Sequence, residues 1–308
     1  MHHPTDTADQ QTVRSTRLPN KPRTVVITGG TDGIGRALAE ERLERGDTVV
    51  VIGRTPRKGE AFLERARSLG AADRARFIRA DLGLLADNRR VLDEVRAVFP
   101  VVDVLVFCAR FYRSDRAETA EGIEDVFAHF YLSRYLLGHG LAGQLGRSER
   151  PVVVNVAGPG AGLELIHWDD LEFRNAYHGG AALGQAGKLN DLLGVSSAAR
   201  YADIGLRYVL VHPGPTVTGL VGQYDAETQR YIDAQQLTAK PVAEALGPIV
   251  AAIDAPPRQS LSAFVEGREI DVRGEGFDPE AARRLEKLTE AFLKDLKDLK
   301  DLKGLKGR

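Results

Sequence analysis

The chain has 308 residues, 43% of them hydrophobic, which is enough for one large α/β domain without requiring a second. A formal net charge of −1, with acids and bases interspersed, argues against a nucleic-acid or membrane-surface partner. The single cysteine, Cys108, excludes an intrachain disulfide and fits a reducing, cytoplasmic setting. Residues 1–22 lack the apolar centre of a signal peptide and read as a disordered N-terminal arm. Beyond them, TVVITGG (24–30), TVVVIGR (48–54), RFIRADL (76–82), VDVLVFCAR (102–110), PVVVNVAG (151–158) and LRYVLVHPG (206–214) are short and rich in Val and Ile, as strands buried on both faces are. LSAFVEG (261–267) is a weaker seventh. Segments 35–45, 56–68, 88–98 and 122–137 carry a helical period between them.

This alternation predicts an α/β fold of Rossmann type over residues 23–276: a doubly wound, mainly parallel sheet of about seven strands with helices on both faces. Residues 219–240 break the rhythm beside a strand end, where ligands bind in such sheets, and read either as a substrate flap or as a plain surface excursion. Residues 277–308 form a charged C-terminal helix or tail. Its LKDLKDLKDLK repeat steps each Leu back about 60° around a helix that turns about 100° per residue, so no long apolar seam forms. No run of about 18 apolar residues exists to span a bilayer. The seven histidines show no metal-ligand spacing. Abundant Arg, Ala, Gly and Asp, with Lys21 the one lysine before residue 58, points to a GC-rich bacterial genome.

The stretch VVITGGTDGIGR sets Gly29, Gly33 and Gly35 between a strand and a helix, where backbone amides and the helix N-terminus can approach a pyrophosphate. It resembles the T-G-x-x-x-G-I-G signature of the short-chain dehydrogenase/reductase family, carried here by Thr28, Gly29, Gly33, Ile34 and Gly35, with Thr31 in the same turn. The next strand ends in Gly53-Arg54, a neutral residue and a cation where an NAD-preferring chain would place a ribose-binding carboxylate. That pattern favours the 2′-phosphate of NADP(H). The resemblance further implies adenine contacts from Asp81 and Leu82, a cofactor-side position for Ala109, and nicotinamide or pyrophosphate contacts from Pro213, Gly214 and Thr218. It spans roughly residues 22 to 270 and is nearest the retinol-dehydrogenase-like branch. It also implies dimers or tetramers built through helices around 115–140 and 180–200.

Family chemistry uses a tyrosine to exchange the proton, a lysine to lower its pKa, a serine to polarise the carbonyl and an asparagine to support the lysine. Aligned without a gap on A-Y-G-Q-S-K-L-A-N, the stretch ALGQAGKLNDLL puts Leu183 at the tyrosine and Gly187 at the lysine. One inserted residue would restore the lysine as Lys188 and still leave no tyrosine. Gly158 falls at the serine and Phe130 at the asparagine, and Phe107-Cys108-Ala109-Arg110 replaces the family's N-N-A-G. Leu and Gly exchange no proton. Tyr177 and His178, just before this helix, are substitute acids, with His129 a further candidate and Arg110 a cation for a substrate anion or oxyanion.

Three readings follow. One is an atypical NADP(H)-dependent oxidoreductase acting on a small carbonyl or alcohol in bacterial secondary metabolism, with a non-standard proton relay. Another is a redox-neutral cyclase, isomerase or dehydratase of natural-product biosynthesis, its cavity lined by Leu183, Phe130 and Phe107 around a largely apolar substrate. The last is a non-catalytic NADP(H) sensor that uses its Lys/Leu tail as a contact element.

Overall fold

A computed structural model describes residues 21–218 and 222–306, with side chains up to residue 296. The expected N-terminal arm lies almost wholly outside the described residues. Seven strands fall where the Val/Ile runs place them: β1 (Thr24–Thr28), β2 (Thr48–Gly53), β3 (Ala75–Arg79), β4 (Val104–Phe107), β6 (Val152–Val156), β7 (Arg207–His212) and β9 (Leu261–Val265). An eighth, β10 (Arg268–Ile270), turns back antiparallel on β9 and makes the sheet eight-stranded, in the order β10-β9-β7-β6-β4-β1-β2-β3. Its turn has Glu266 and Gly267 both at positive φ, the geometry of the two-residue hairpin that matches strand twist. Two short strands, β5 (Tyr112–Arg113) and β8 (Gly222–Gln223), pair apart from the sheet.

Side chains alternate across the sheet and feed two layers. Val25, Ile27, Val49 and Val51 pack against α1 (Gly33–Glu44), α2 (Pro56–Ser68) and α9 (Val242–Asp254) through Leu38, Phe62 and Ile249. Val26, Val50 and Ile52 face the opposite layer, where α3 (Leu85–Val98), α5 (Ser133–Gly140), α6 (Ala142–Leu145) and α7 (Gly179–Arg200) contribute Val91, Leu137, Leu145 and Ala186. A short α4 (Asp125–Phe127) runs through a π-helical turn, Ala128–Leu132, into α5. Strand order reverses between β1 and β4, and that switch point opens the crevice at the strands' carboxyl ends.

Residues 222–240 fold as β8 and α8 (Ala226–Thr238), capped by Asp225 accepting from the Thr228 amide; residues 219–221 lie outside the description. The charged C-terminal segment becomes α10 (Pro279–Lys306). Its Ala281, Ala282 and Leu285 pack with Tyr131, Leu189 and Leu192 from the π turn and α7, and Thr289 hydrogen-bonds the Tyr131 hydroxyl at 2.8 Å. α10 thus packs against part of the helices around 115–140 and 180–200. Among the described residues no helix is long and apolar enough to cross a membrane.

Candidate functional site

The glycine turn after β1 is built by close approach. Gly29 has φ +67°, and a Cβ there would lie 2.8 Å from the Ala109 Cα, so the backbone beyond β4 crosses directly against it. A Cβ on Gly35 would fall 2.4 Å from the Gly29 carbonyl oxygen, which is what lets α1 start so close to the strand. Thr28 Oγ1 accepts from the Ala109 amide at 3.3 Å and so ties the two strand ends together. Asp32 caps α1 by accepting from the Gly33 amide at 2.8 Å and pairs with Lys58 of α2. Burial opposes ionisation of Asp32, but Lys58 and the Gly33 amide outweigh it and hold the carboxyl below its ordinary value. Gly29, Thr31, Gly33, Ile34 and Gly35 line a cleft of about 780 Å³.

Arg54 lines this cleft just beyond β2. Its guanidinium stacks over Phe111 at 4.5 Å and is 4.0 Å from Asp81. Lys58, which sequence reasoning missed, lines the same end. The signal was its position four residues after Arg54, on a helix opened by Pro56. Leu82 and Ala109 also line the cleft, as do Pro213, Gly214 and Thr218. Asp81 stands behind Leu82. His129 lowers its pKa to about 2, against the opposing effect of burial.

His129 is buried between two carboxylates: Nε2 is 2.9 Å from Asp81 Oδ1 and Nδ1 is 3.1 Å from Asp125 Oδ1, with Arg113 closing the chain onto Asp125. Burial works against its charge, yet Asp125 and Asp81 outweigh it and raise the imidazole above its ordinary 6.5. Both ring nitrogens thus lie at ion-pairing distance from a carboxylate, Nε2 without a hydrogen bond, and the residue also lines the cleft. A raised histidine contributes its stability below pH 6.5 and loses it as pH rises through the folded value; Asp81 contributes above its ordinary 3.8 and loses it as pH falls through about 2. The melting-temperature advantage of wild type over H129Q is therefore expected to be greatest between pH 4 and 6.5, by a few degrees, and to shrink above it. Thermal unfolding of both proteins across pH reads this directly, and an advantage that grows above pH 7 would contradict it.

At the other end, the four relay positions converge. Phe130, Gly158, Leu183 and Gly187 all line the cleft. A Cβ on Gly187 would meet nothing within 4 Å, and one on Gly158 would meet only His212 Cδ2 at 3.6 Å. Sterics at these Cβ positions do not compel either glycine. Lys188 points elsewhere: its ammonium is fully buried, 3.0 Å from Asp191 Oδ2 and 4.9 Å above the Phe277 ring, and the residue does not line the cleft. One residue of helix rotates a side chain about 100°, and that rotation separates it from Gly187. Tyr177 and His178 also stand off the cleft lining. The Tyr177 hydroxyl donates to Glu124 Oε1 at 3.1 Å, and burial together with that carboxylate drives its pKa up. His178 is exposed and caps α7, its Nδ1 accepting from the Ala181 amide at 3.3 Å.

Three further residues shape this end. Burial pushes the Cys108 thiol up to about 12, which leaves no thiolate for nucleophilic work. Arg134 is 1% exposed; it donates to Asn155 and, at 3.0 Å each, to the Val156 and Ala109 carbonyls, and its guanidinium lies 4.2 Å from the Phe130 ring. It pins the β4 and β6 ends together, with Phe130 as its stacking surface. The Phe130 carbonyl is taken by Asn190 Nδ2 at 2.7 Å. His212, at the end of β7, lines the cleft beside Gly158. Its Nδ1 accepts from the Gly214 amide at 3.1 Å, which fixes the proton of the neutral ring on Nε2. Burial, Lys240 and Arg110 lower its pKa against the pull of Glu266.

Comparison with known proteins agrees with this geometry. A family model described as short chain dehydrogenase matches residues 23–168. A candidate daunorubicin C-13 ketoreductase from Streptomyces sp. (strain C5) is 31% identical over 198 residues, covering 64% of this chain and 67% of that relative. The chain belongs to the short-chain dehydrogenase/reductase family. Other members it resembles include a polyprenol dehydrogenase of Mus musculus, 34% identical over 55% of this chain and 52% of that one, and an uncharacterized oxidoreductase of Saccharomyces cerevisiae, 30% identical over 58% and 57%. The chain thus spans little more than half the length of these last two relatives. A short-chain dehydrogenase of Shigella flexneri, solved in complex with NADP, shares the fold at a TM-score of 0.61 and 17% identity, covering 80% of this chain and 97% of that one. The glycine turn and the four positions that the sequence resemblance aligns with the family's relay, Phe130, Gly158, Leu183 and Gly187, line one cleft.

Proposed function

We propose that the chain is an NADP(H)-dependent oxidoreductase of a small carbonyl or alcohol compound that works without the family's tyrosine. The observation that carries this reading is the adenosine end of the cleft: Arg54 and Lys58 flank neutral Gly53, next to an intact glycine turn. Two cations, with a neutral residue ending β2, suit a 2′-phosphate, which would compete with Asp32 for Lys58 and with Asp81 for Arg54. The Gly29 and Gly35 positions, where a Cβ would collide with backbone, hold the turn tight against the start of α1, whose N-terminus suits a pyrophosphate. A bound nicotinamide supplies the hydride. The protein's part at the carbonyl falls to His212, which lines the cleft beside Gly158 and, with Nδ1 accepting from Gly214, keeps Nε2–H as its donor. As a neutral donor it polarises the oxygen that gains charge; the proton then comes from water in the open cleft. α8 forms the outer wall through Thr228, Tyr231 and Gln235, so residues 226–238 contact a bound substrate.

The test is a panel of ketones, aldehydes and quinones with the purified chain and NADPH, followed by loss of NADPH absorbance and by product mass. Turnover with stoichiometric NADPH loss supports the reading. Tight NADPH binding with conversion of a compound at constant NADPH would replace it by a redox-neutral reaction. That second reading draws on the same convergence of Leu183, Phe130, Gly158 and Gly187, an apolar surface with no proton-exchanging group.

A further inference from the structure

We propose that the substrate carries a carboxylate, and that Arg110 is the residue that reads it. The inference rests on the reading of this cleft as the substrate site and adds the chemical class of what enters it.

Arg110 follows β4 by three residues and lines the cleft at the strands' carboxyl ends. Among the described residues it makes no hydrogen bond and no ion pair. The neighbouring arginines are engaged: Arg54 has Asp81 and the Phe111 face, Arg113 has Asp125, and Arg134 has two carbonyls and Asn155. The groups whose negative charge would favour the Arg110 cation are two phenols, Tyr112 and Tyr224, and a phenol is neutral near pH 7. Arg110 is exposed into the cleft, and no carboxylate among the described residues pairs with it.

The walls around it sharpen the point. Ala157, Gly158 and Ala161 from the β6 side and Leu165, Leu183 and Gly184 from the α7 side are apolar or lack a side chain. A charge-assisted, two-pronged contact with a carboxylate is open to a cleft-lining guanidinium that no internal contact engages. Nothing in the packing calls for a guanidinium here. An uncompensated cation in a cleft is the pattern expected of a binding group.

The strand order places this cation in register with the donor already described. β4, β6 and β7 are consecutive neighbours, so Arg110, Gly158 and His212 follow the ends of three adjacent strands, with Gly158 in the middle. Neighbouring strands are about 4.8 Å apart. His212 and Arg110 both line the cleft. A substrate with its carboxylate on Arg110 and its carbonyl oxygen on His212 would lie across the bare Gly158, with its apolar part toward Leu165 and Leu183. An oxo acid with an apolar body has that shape.

The test uses the full chain with saturating NADP⁺, titrated calorimetrically with acetate, butyrate and benzoate and with the matching neutral amides. R110Q and R110K are run beside wild type, and NADPH affinity is measured for each. The expected result is that at least one carboxylate binds tenfold or more tighter than its amide, that R110Q removes the difference, that R110K keeps part of it, and that NADPH affinity is unchanged. Equal binding of acid and amide, or no binding of any carboxylate, overturns the proposal. So does carboxylate binding that disappears when NADP⁺ is added, because the guanidinium would then serve a cofactor phosphate. Should R110Q fail to fold, the acid–amide comparison on wild type and R110K still decides. Failure of wild type to bind NADPH at all would count against the cofactor reading, and it is visible separately from the carboxylate titration.

Discussion

Replacing Arg54 and Lys58 together by alanine is expected to weaken NADPH binding about 100-fold and to weaken NADH binding much less. Hydrogen bonds to a charged group contribute about 1.5–3 kcal/mol each, and 1.4 kcal/mol is tenfold in affinity, so loss of two partners of one phosphate reaches that size. The single variants should differ in an instructive way. Arg54 gives up its weak 4.0 Å approach to Asp81 at little cost, so R54A removes mainly the phosphate contact. Lys58 is paired with Asp32, the cap of α1 in the phosphate turn. K58A removes a phosphate partner and also uncovers a carboxylate beside the pyrophosphate, so its effect extends to NADH as well. Fluorescence titration of both cofactors against the three variants measures this. A wild type that binds NADH more tightly than NADPH would reverse the cofactor assignment.

The second large effect is expected at His212. H212F should lower kcat about 100- to 1000-fold on any carbonyl the chain reduces, the scale typical of losing one donor to a developing oxyanion, with little change in NADPH affinity. H212Q, which keeps an N–H, should recover part of the rate. The reasoning is geometric: Gly214 holds Nδ1 as an acceptor, Nε2–H remains, and Gly158 beside it offers no competing side chain. A rate for H212F equal to wild type would mean that polarisation of the carbonyl comes from elsewhere, with Arg110 the next group to test.

Much of the fold was legible because burial on both faces forces a plain code. The runs at 24–30, 48–54 and 151–158 are each built around consecutive Val and Ile residues, and each contains a strand. β10 was not legible, since Arg-Glu-Ile is short and polar; the only cue was the Glu266-Gly267 turn before it. At the site, the inert residues could be placed from resemblance alone, but their partners could not. That His212 sits beside Gly158 depends on β7 pairing with β6, a neighbour relation that no spacing in the chain expresses. Lys188 against Gly187 was a question of helix phase, and a single residue of rotation sends one into a buried pair with Asp191 and the other to the cleft. Arg134 looked like one charge on a helix; only packing reveals a buried guanidinium that fastens two strand ends.

The docking of α10 over α7 and the π turn has a consequence for how this protein behaves on dilution. A surface covered by a separate subunit is uncovered as protein concentration falls, because association is a bimolecular equilibrium. Here the covering helix is tethered to the surface it covers, with Ala281, Leu285 and Thr289 seated against Tyr131, Leu189 and Leu192. Its local concentration is set by the chain and not by the solution. The apolar flank of the longest cleft-lining helix, and with it the position of Leu183 and Gly187, is therefore held equally well at nanomolar and millimolar protein.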